Sequence, residues 1–100
     1  MVTPDDGYLK AVRELCTKHN VLMIADEIQT GYGRTGKFWG HNWDGIRPDM
    51  VTVAKSFTGG FYPASVVLCD AHIMDLIKAG EHGSTYGGSP LGMAVACASL

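Results

Sequence analysis

Charge is scarce in this chain: 18% of its 100 residues are charged and the net charge is −2. No basic surplus is available to neutralise a phosphate backbone, which argues against nucleic acid as a partner. Long apolar runs are missing too. The longest are strand-sized, well short of the roughly 20 residues a membrane helix needs, and the opening MVTPDDGYLK has neither the basic start nor the apolar centre of a secretory signal. Cysteine is limited to Cys16, Cys69 and Cys97. An odd number, widely spaced and set among apolar residues, predicts buried reduced thiols and a reducing compartment rather than disulfides or metal ligands. His19, His41, His72 and His82 show no paired metal spacing, so a zinc site is not expected. A nucleotide-binding α/β module is disfavoured as well, because no G-x-G-x-x-G follows the first apolar run and no P-loop occurs. There is no internal repeat, low-complexity tract or linker.

What is present alternates helix and strand. Asp5 or Asp6 is placed to cap a helix over 7–19, with an apolar stripe of Leu9, Val12, Leu15 and Cys16 and a stop at Asn20. VLMIA at 21–25 and MVTVA at 50–54 are short and apolar on both sides, as in parallel strands covered by helices on both faces. ASVVLC at 64–69 reads as a third strand, and Asp70 is placed to cap a helix reaching about Ala79. A glycine-rich loop, AGEHGSTYGGS, then leads to a last helix with Ser89 as N-cap and Pro90 at its first position. The expected fold class is therefore α/β, a mainly parallel sheet flanked by helices.

Asp26 ends the first strand and Lys55 follows the second, 29 positions later. An acid and an amine thus come to the C-terminal tips of two strands, where open α/β sheets build their sites. With the glycines of SFTGG and GSTYGGSPLG, the pattern suits a flat, phosphorylated, aldehyde-bearing cofactor, and pyridoxal phosphate is the one that fits. Taken alone, each residue has a plainer explanation: Asp26 as a strand-ending cap, Lys55 as a surface lysine, GSTYGG as an ordinary loop.

Three long pieces shift that balance. VLMIADEIQTGYGRTGKFWG, RPDMVTVAKSFTGGFYPASVVLCD and IKAGEHGSTYGGSPLG resemble, in order and along essentially the whole chain, the large-domain core of the class III aminotransferases, pyridoxal-phosphate enzymes of fold type I. The resemblance implies that residues 1–100 are part of the cofactor-binding large domain, with the rest of that domain and a small domain lying elsewhere. The final run SPLGMAVACASL stops without a helix-ending signal, and Met1 falls where the family continues from an upstream strand; a partial chain is expected.

The resemblance also implies roles. A buried Asp26 carboxylate keeps the cofactor ring nitrogen protonated, so that the ring serves as an electron sink. Lys55 forms a Schiff base with the aldehyde and, once displaced by the amino substrate, carries the proton as base and acid. Gln29 donates to the phenolic oxygen, and Thr85, helped by Ser84, reaches the phosphate of the other subunit's cofactor in a homodimer. Glu27 is expected only to pair with a basic residue. Gly59 and Gly60 turn the chain sharply beside the cofactor. Arg34 and its loop are read as structural or interfacial, and Phe38, Trp39, Trp43, Phe61 and Tyr62 as core or dimer contacts. Many relatives have glycine before the lysine where this chain has Ala54, a change small enough to tolerate.

Within the family, FYPASVVLCDAHIM and IKAGEHGSTYGGSPLG look most like the members acting on ornithine. This implies transfer of a δ-amino group to a 2-oxo acid such as 2-oxoglutarate, giving glutamate 5-semialdehyde. The acetylornithine and 4-aminobutyrate types are the alternatives, as is an inactive fragment of such an enzyme. Family members work in the cytoplasm or the mitochondrial matrix.

Overall fold

Parallel pairing of the two apolar segments sets the frame. In a computed structural model that describes residues 2–100, β1 (Ile24–Asp26) lies beside β2 (Met50–Val53) with Ile24 opposite Met50 and Asp26 opposite Thr52. The expectation attached to Met1 lies outside the described residues. β3 (Val66–Cys69) adds to the far side of β2 in antiparallel register, Met50 opposite Cys69 and Val53 opposite Val66, for a sheet order of β1-β2-β3.

The sheet is therefore mixed rather than mainly parallel within these residues. The reason is the connection from β2 to β3, which contains a 3-10 turn at Lys55–Thr58 and then Gly59 and Gly60 at φ 59° and 80°. Two consecutive left-handed glycines double the chain back, and no helix is available to carry a parallel crossover. β1 and β2, by contrast, are joined by the long excursion 27–49.

Helix α1 (Tyr8–Lys18) starts after Gly7, not under a side-chain cap from Asp5 or Asp6. Its open N–H groups at Leu9 and Lys10 instead donate to Asp44 Oδ2, at 2.9 and 3.2 Å, from a loop 35 and 34 residues away. Arg13 on the same helix pairs with Asp49 at 2.5 Å, and the same carboxylate oxygen accepts the Met23 N–H at 2.6 Å. These contacts place the half-buried face of α1 on Leu9, Val12, Arg13 and Cys16, leaving Leu15 outside the stripe and exposed.

α2 (Ala71–Met74) is a single turn and stops well short of Ala79. Asp70 occupies the N-cap position without a side-chain cap bond, because its carboxylate accepts from Arg47 at 2.5 Å instead. α3 (Pro90–Ser99) begins at Pro90 as expected, with Ser89 at the cap position but no side-chain cap bond. It packs on the turn Lys55–Thr58, where Gly92 lets the Tyr62 ring approach and Ala96 is buried.

The buried apolar set is small: Met23, Val53, Phe57 and Ala96. Coverage of the strands on both faces is not observed; β1 and β3 are largely open and only Val53 of β2 is fully enclosed. The three cysteines are free, as expected, but Cys16 and Cys69 are only half-buried and Cys97 is exposed. Among the described residues no helix is long and apolar enough to cross a membrane.

Candidate active site

The site forms where β1 and β2 end side by side. Asp26 and Thr52 are paired in the register, and Lys55 follows three residues beyond Thr52. The strands thus deliver carboxylate and amine to the same edge of the sheet. Asp26 is exposed rather than buried, because β1 lies at the edge of the sheet with no layer over its end. Its Oδ1 accepts the Ile28 N–H at 3.0 Å.

Lys55 holds a backbone conformation that is uncommon for any residue with a side chain, φ 51° in the left-handed region. Such positions concentrate at sites where the surrounding structure over-determines them. Its Nζ donates to Gln29 Oε1 at 2.5 Å, so two of the residues singled out in the sequence meet directly. An open cavity of about 570 Å³ adjoins the lysine, lined by Lys55 and by Gly60, Phe61, Tyr62, Pro63 and Ser65. A neighbouring hollow of about 420 Å³ shares Tyr62–Ser65 and brings in Ser84 and Tyr86. Ser84 Oγ accepts the Gly87 N–H at 2.9 Å, while Thr85 is exposed and does not line either hollow.

Glu27 is the buried acid of this region. It is 3% exposed and accepts four hydrogen bonds: from Thr30 Oγ1 at 2.5 Å, from the Gly40 and His41 N–H groups at 2.9 Å each, and from His41 Nδ1 at 2.8 Å. Burial pulls its carboxyl upward, but those bonds outweigh the burial and hold it below the ordinary carboxylate value. The basic partner expected for Glu27 is thus His41. The two are 14 residues apart in a segment without periodicity, so no spacing signal could have paired them.

The loop between them is also tied to the lysine turn. Arg34 Nε donates to Ser56 Oγ at 2.6 Å, next to Lys55, and Tyr32 packs edge-on against Phe38 and Trp39, with Phe57 at 6.2 Å. Burial pushes the Tyr32 hydroxyl upward. Of the five aromatics read as core or dimer contacts, Trp39 and Tyr62 are half-buried, whereas Phe38, Trp43 and Phe61 stand open and are not core in this chain.

The family model of the class III aminotransferases matches residues 1–100. The chain belongs to that family. Among the relatives of this class III chain, the mitochondrial ornithine aminotransferase of Rattus norvegicus is 58% identical over all 100 residues, which are 23% of its length. Among solved structures, the ornithine aminotransferase of Toxoplasma gondii, described with partial occupancy of pyridoxal phosphate at its active site, superposes with a TM-score of 0.94 at 47% identity, covering 97% of this chain and 23% of that one. The acetylornithine aminotransferase of Elizabethkingia anophelis gives a TM-score of 0.93 at 53% identity, covering 98% and 26%. The class III chain spans about a quarter of the length of these relatives.

The residues present fit the family's cofactor. An amine already held in an over-determined backbone position, an amide bonded to it, and a carboxylate at the neighbouring strand tip supply a nucleophile, a donor and an anion along one sheet edge. Gly60, which lines the cavity, sits at φ 80° in the left-handed region that favours glycine.

Proposed function

We propose that the protein carrying this chain is an ornithine aminotransferase, moving the δ-amino group of ornithine to a 2-oxo acid with release of glutamate 5-semialdehyde. Residues 1–100 form part of its cofactor-binding large domain. The observation that carries the reading is the amine of Lys55, a residue that lines the cavity, fixed on Gln29 at 2.5 Å, in a chain whose relatives at 58% identity are named ornithine aminotransferases.

Lys55 Nζ anchors the cofactor and, when an incoming amine frees it, takes up a proton and returns it across the short distance to which Gln29 confines it. Asp26, with Oδ1 engaged by the Ile28 N–H, offers Oδ2 to a protonated ring nitrogen. Gln29 accepts from the lysine through Oε1, which leaves its amide N–H groups to donate to a phenolic oxygen. When bound, pyridoxal phosphate supplies an electron sink for the carbon losing its amino group. Thr85 and Ser84 serve the phosphate, Thr85 that of a second subunit, which fits its exposure and its place outside this chain's own cavities. Mitochondrial relatives favour the matrix as the compartment.

A second reading, an acetylornithine-type enzyme, draws on the 53% identity to that structure. Borohydride reduction of the protein incubated with pyridoxal phosphate, followed by peptide mapping, is expected to find the label on Lys55. Label elsewhere, or steady transamination by Lys55→Ala, overturns the reading. Turnover of ornithine against N-acetylornithine and 4-aminobutyrate then decides the donor.

A further inference from the structure

We propose that Glu27 is a positioning residue: by closing the turn 27–31 it sets Gln29, and through Gln29 the Lys55 amine. The inference rests on the reading of Lys55 as the cofactor lysine and concerns how that lysine is aimed.

Glu27 secures the turn in three ways. Its N–H donates to Thr52 O at 2.9 Å, joining the start of the turn to the end of β2, three residues before Lys55. Its carbonyl accepts the Gly31 N–H at 2.9 Å, so the turn closes around Gln29. Its carboxylate accepts the Thr30 hydroxyl on the residue after Gln29, and the same group holds Gly40 and His41 of the returning loop. The fit is close: an added Cβ at Gly31 would meet Glu27 O at 2.8 Å, and one at Gly40 would meet Thr30 Cβ at 3.0 Å. Gln29 itself is exposed, and its side chain bonds to Lys55. The location of its amide therefore depends on the turn that carries it. A carboxylate whose bonds go to Thr30, Gly40 and His41 rather than to the amine can in this way govern the amine's direction without touching cofactor or substrate.

Glu27→Gln, Thr30→Val and Thr30→Ser in the intact protein test this, with Asp44→Ala as a control that removes the two bonds to the start of α1 and none of those that close the turn 27–31. For Glu27→Gln and Thr30→Val the label is expected to remain on Lys55. The pH midpoint of the bound cofactor's visible absorption should move by about half a unit or more, and kcat should fall about fivefold to tenfold with KM within about twofold. Thr30→Ser, which keeps the hydroxyl, should behave as the unsubstituted protein, and Asp44→Ala should lower the melting temperature without moving the midpoint. An unmoved midpoint with unchanged kcat in Thr30→Val, or an equal change in Asp44→Ala, overturns the proposal. If Glu27→Gln does not fold, Thr30→Val decides, since three of the four carboxylate bonds survive in it. Failure of the unsubstituted protein to take label at Lys55 overturns the underlying reading instead.

Discussion

Asp49 shows how one carboxylate can be worth more than its place in the sequence suggests. A single oxygen accepts from Arg13 and from the Met23 N–H, and the Met23 bond, with Arg13, holds its carboxyl below the ordinary value. A group whose folded value is depressed gives stability that is present above the unfolded carboxylate value and lost as pH falls through the folded one. Glu27 acts in the same direction. Stability is therefore expected to decline below about pH 4, and Asp49→Asn to flatten that acid limb; denaturant midpoints measured across pH check it, and an unchanged limb would remove Asp49 from the account. At this scale the sequence was most legible where chemistry dictates residue type. Lys55 could be named from its place at a strand end and Gln29 from the family resemblance alone, and the two meet. The burial of Asp26 was misjudged because exposure is decided by layers over the strand, which an apolar run cannot reveal. His41 was beyond reach because its partner lies across a loop.

At the scale of elements, α1 depends on a cap borrowed from elsewhere. Asp44 satisfies two of its open N–H groups from a loop that follows β1 in the chain, and carboxylates also interact favourably with a helix N-terminus. Asp44→Ala is expected to cost about 1 kcal/mol and to speed amide exchange in the first turn of α1; unchanged exchange there would refute the cap. Asp5 and Asp6 looked adequate because local rules favour the nearest acid, whereas tertiary geometry supplied another. The same contrast explains β3. Its residues read plainly as a strand, but its direction was set by the paired glycines 59 and 60, whose effect on topology is visible only once both are left-handed. At the start of α2, Asp70 is likewise drawn to Arg47 rather than to the helix it precedes.

For the molecule as a whole, surface is the dominant quantity. The accessible area is 7313 Å², against about 5,500 Å² for a compact protein of this mass, and the radius of gyration is 15.2 Å, against about 13 Å. Isoleucine 24, Phe61, Leu76 and Tyr86 are among the large apolar side chains left open. Made as these 100 residues alone, the chain is expected to bind an apolar fluorescent dye and to melt without a sharp transition; a cooperative melt with no dye binding would contradict the thin core. One residue bears on the stability of the intact protein in the opposite sense. Left-handed backbone costs a non-glycine residue about 1–2 kcal/mol, and Lys55 carries that cost at φ 51°. In the cofactor-free protein Lys55→Gly should therefore raise the melting temperature, while turnover with cofactor is abolished. Screening variants for thermal robustness alone would discard the nucleophile, and a library selected that way would fill with sturdy, silent proteins.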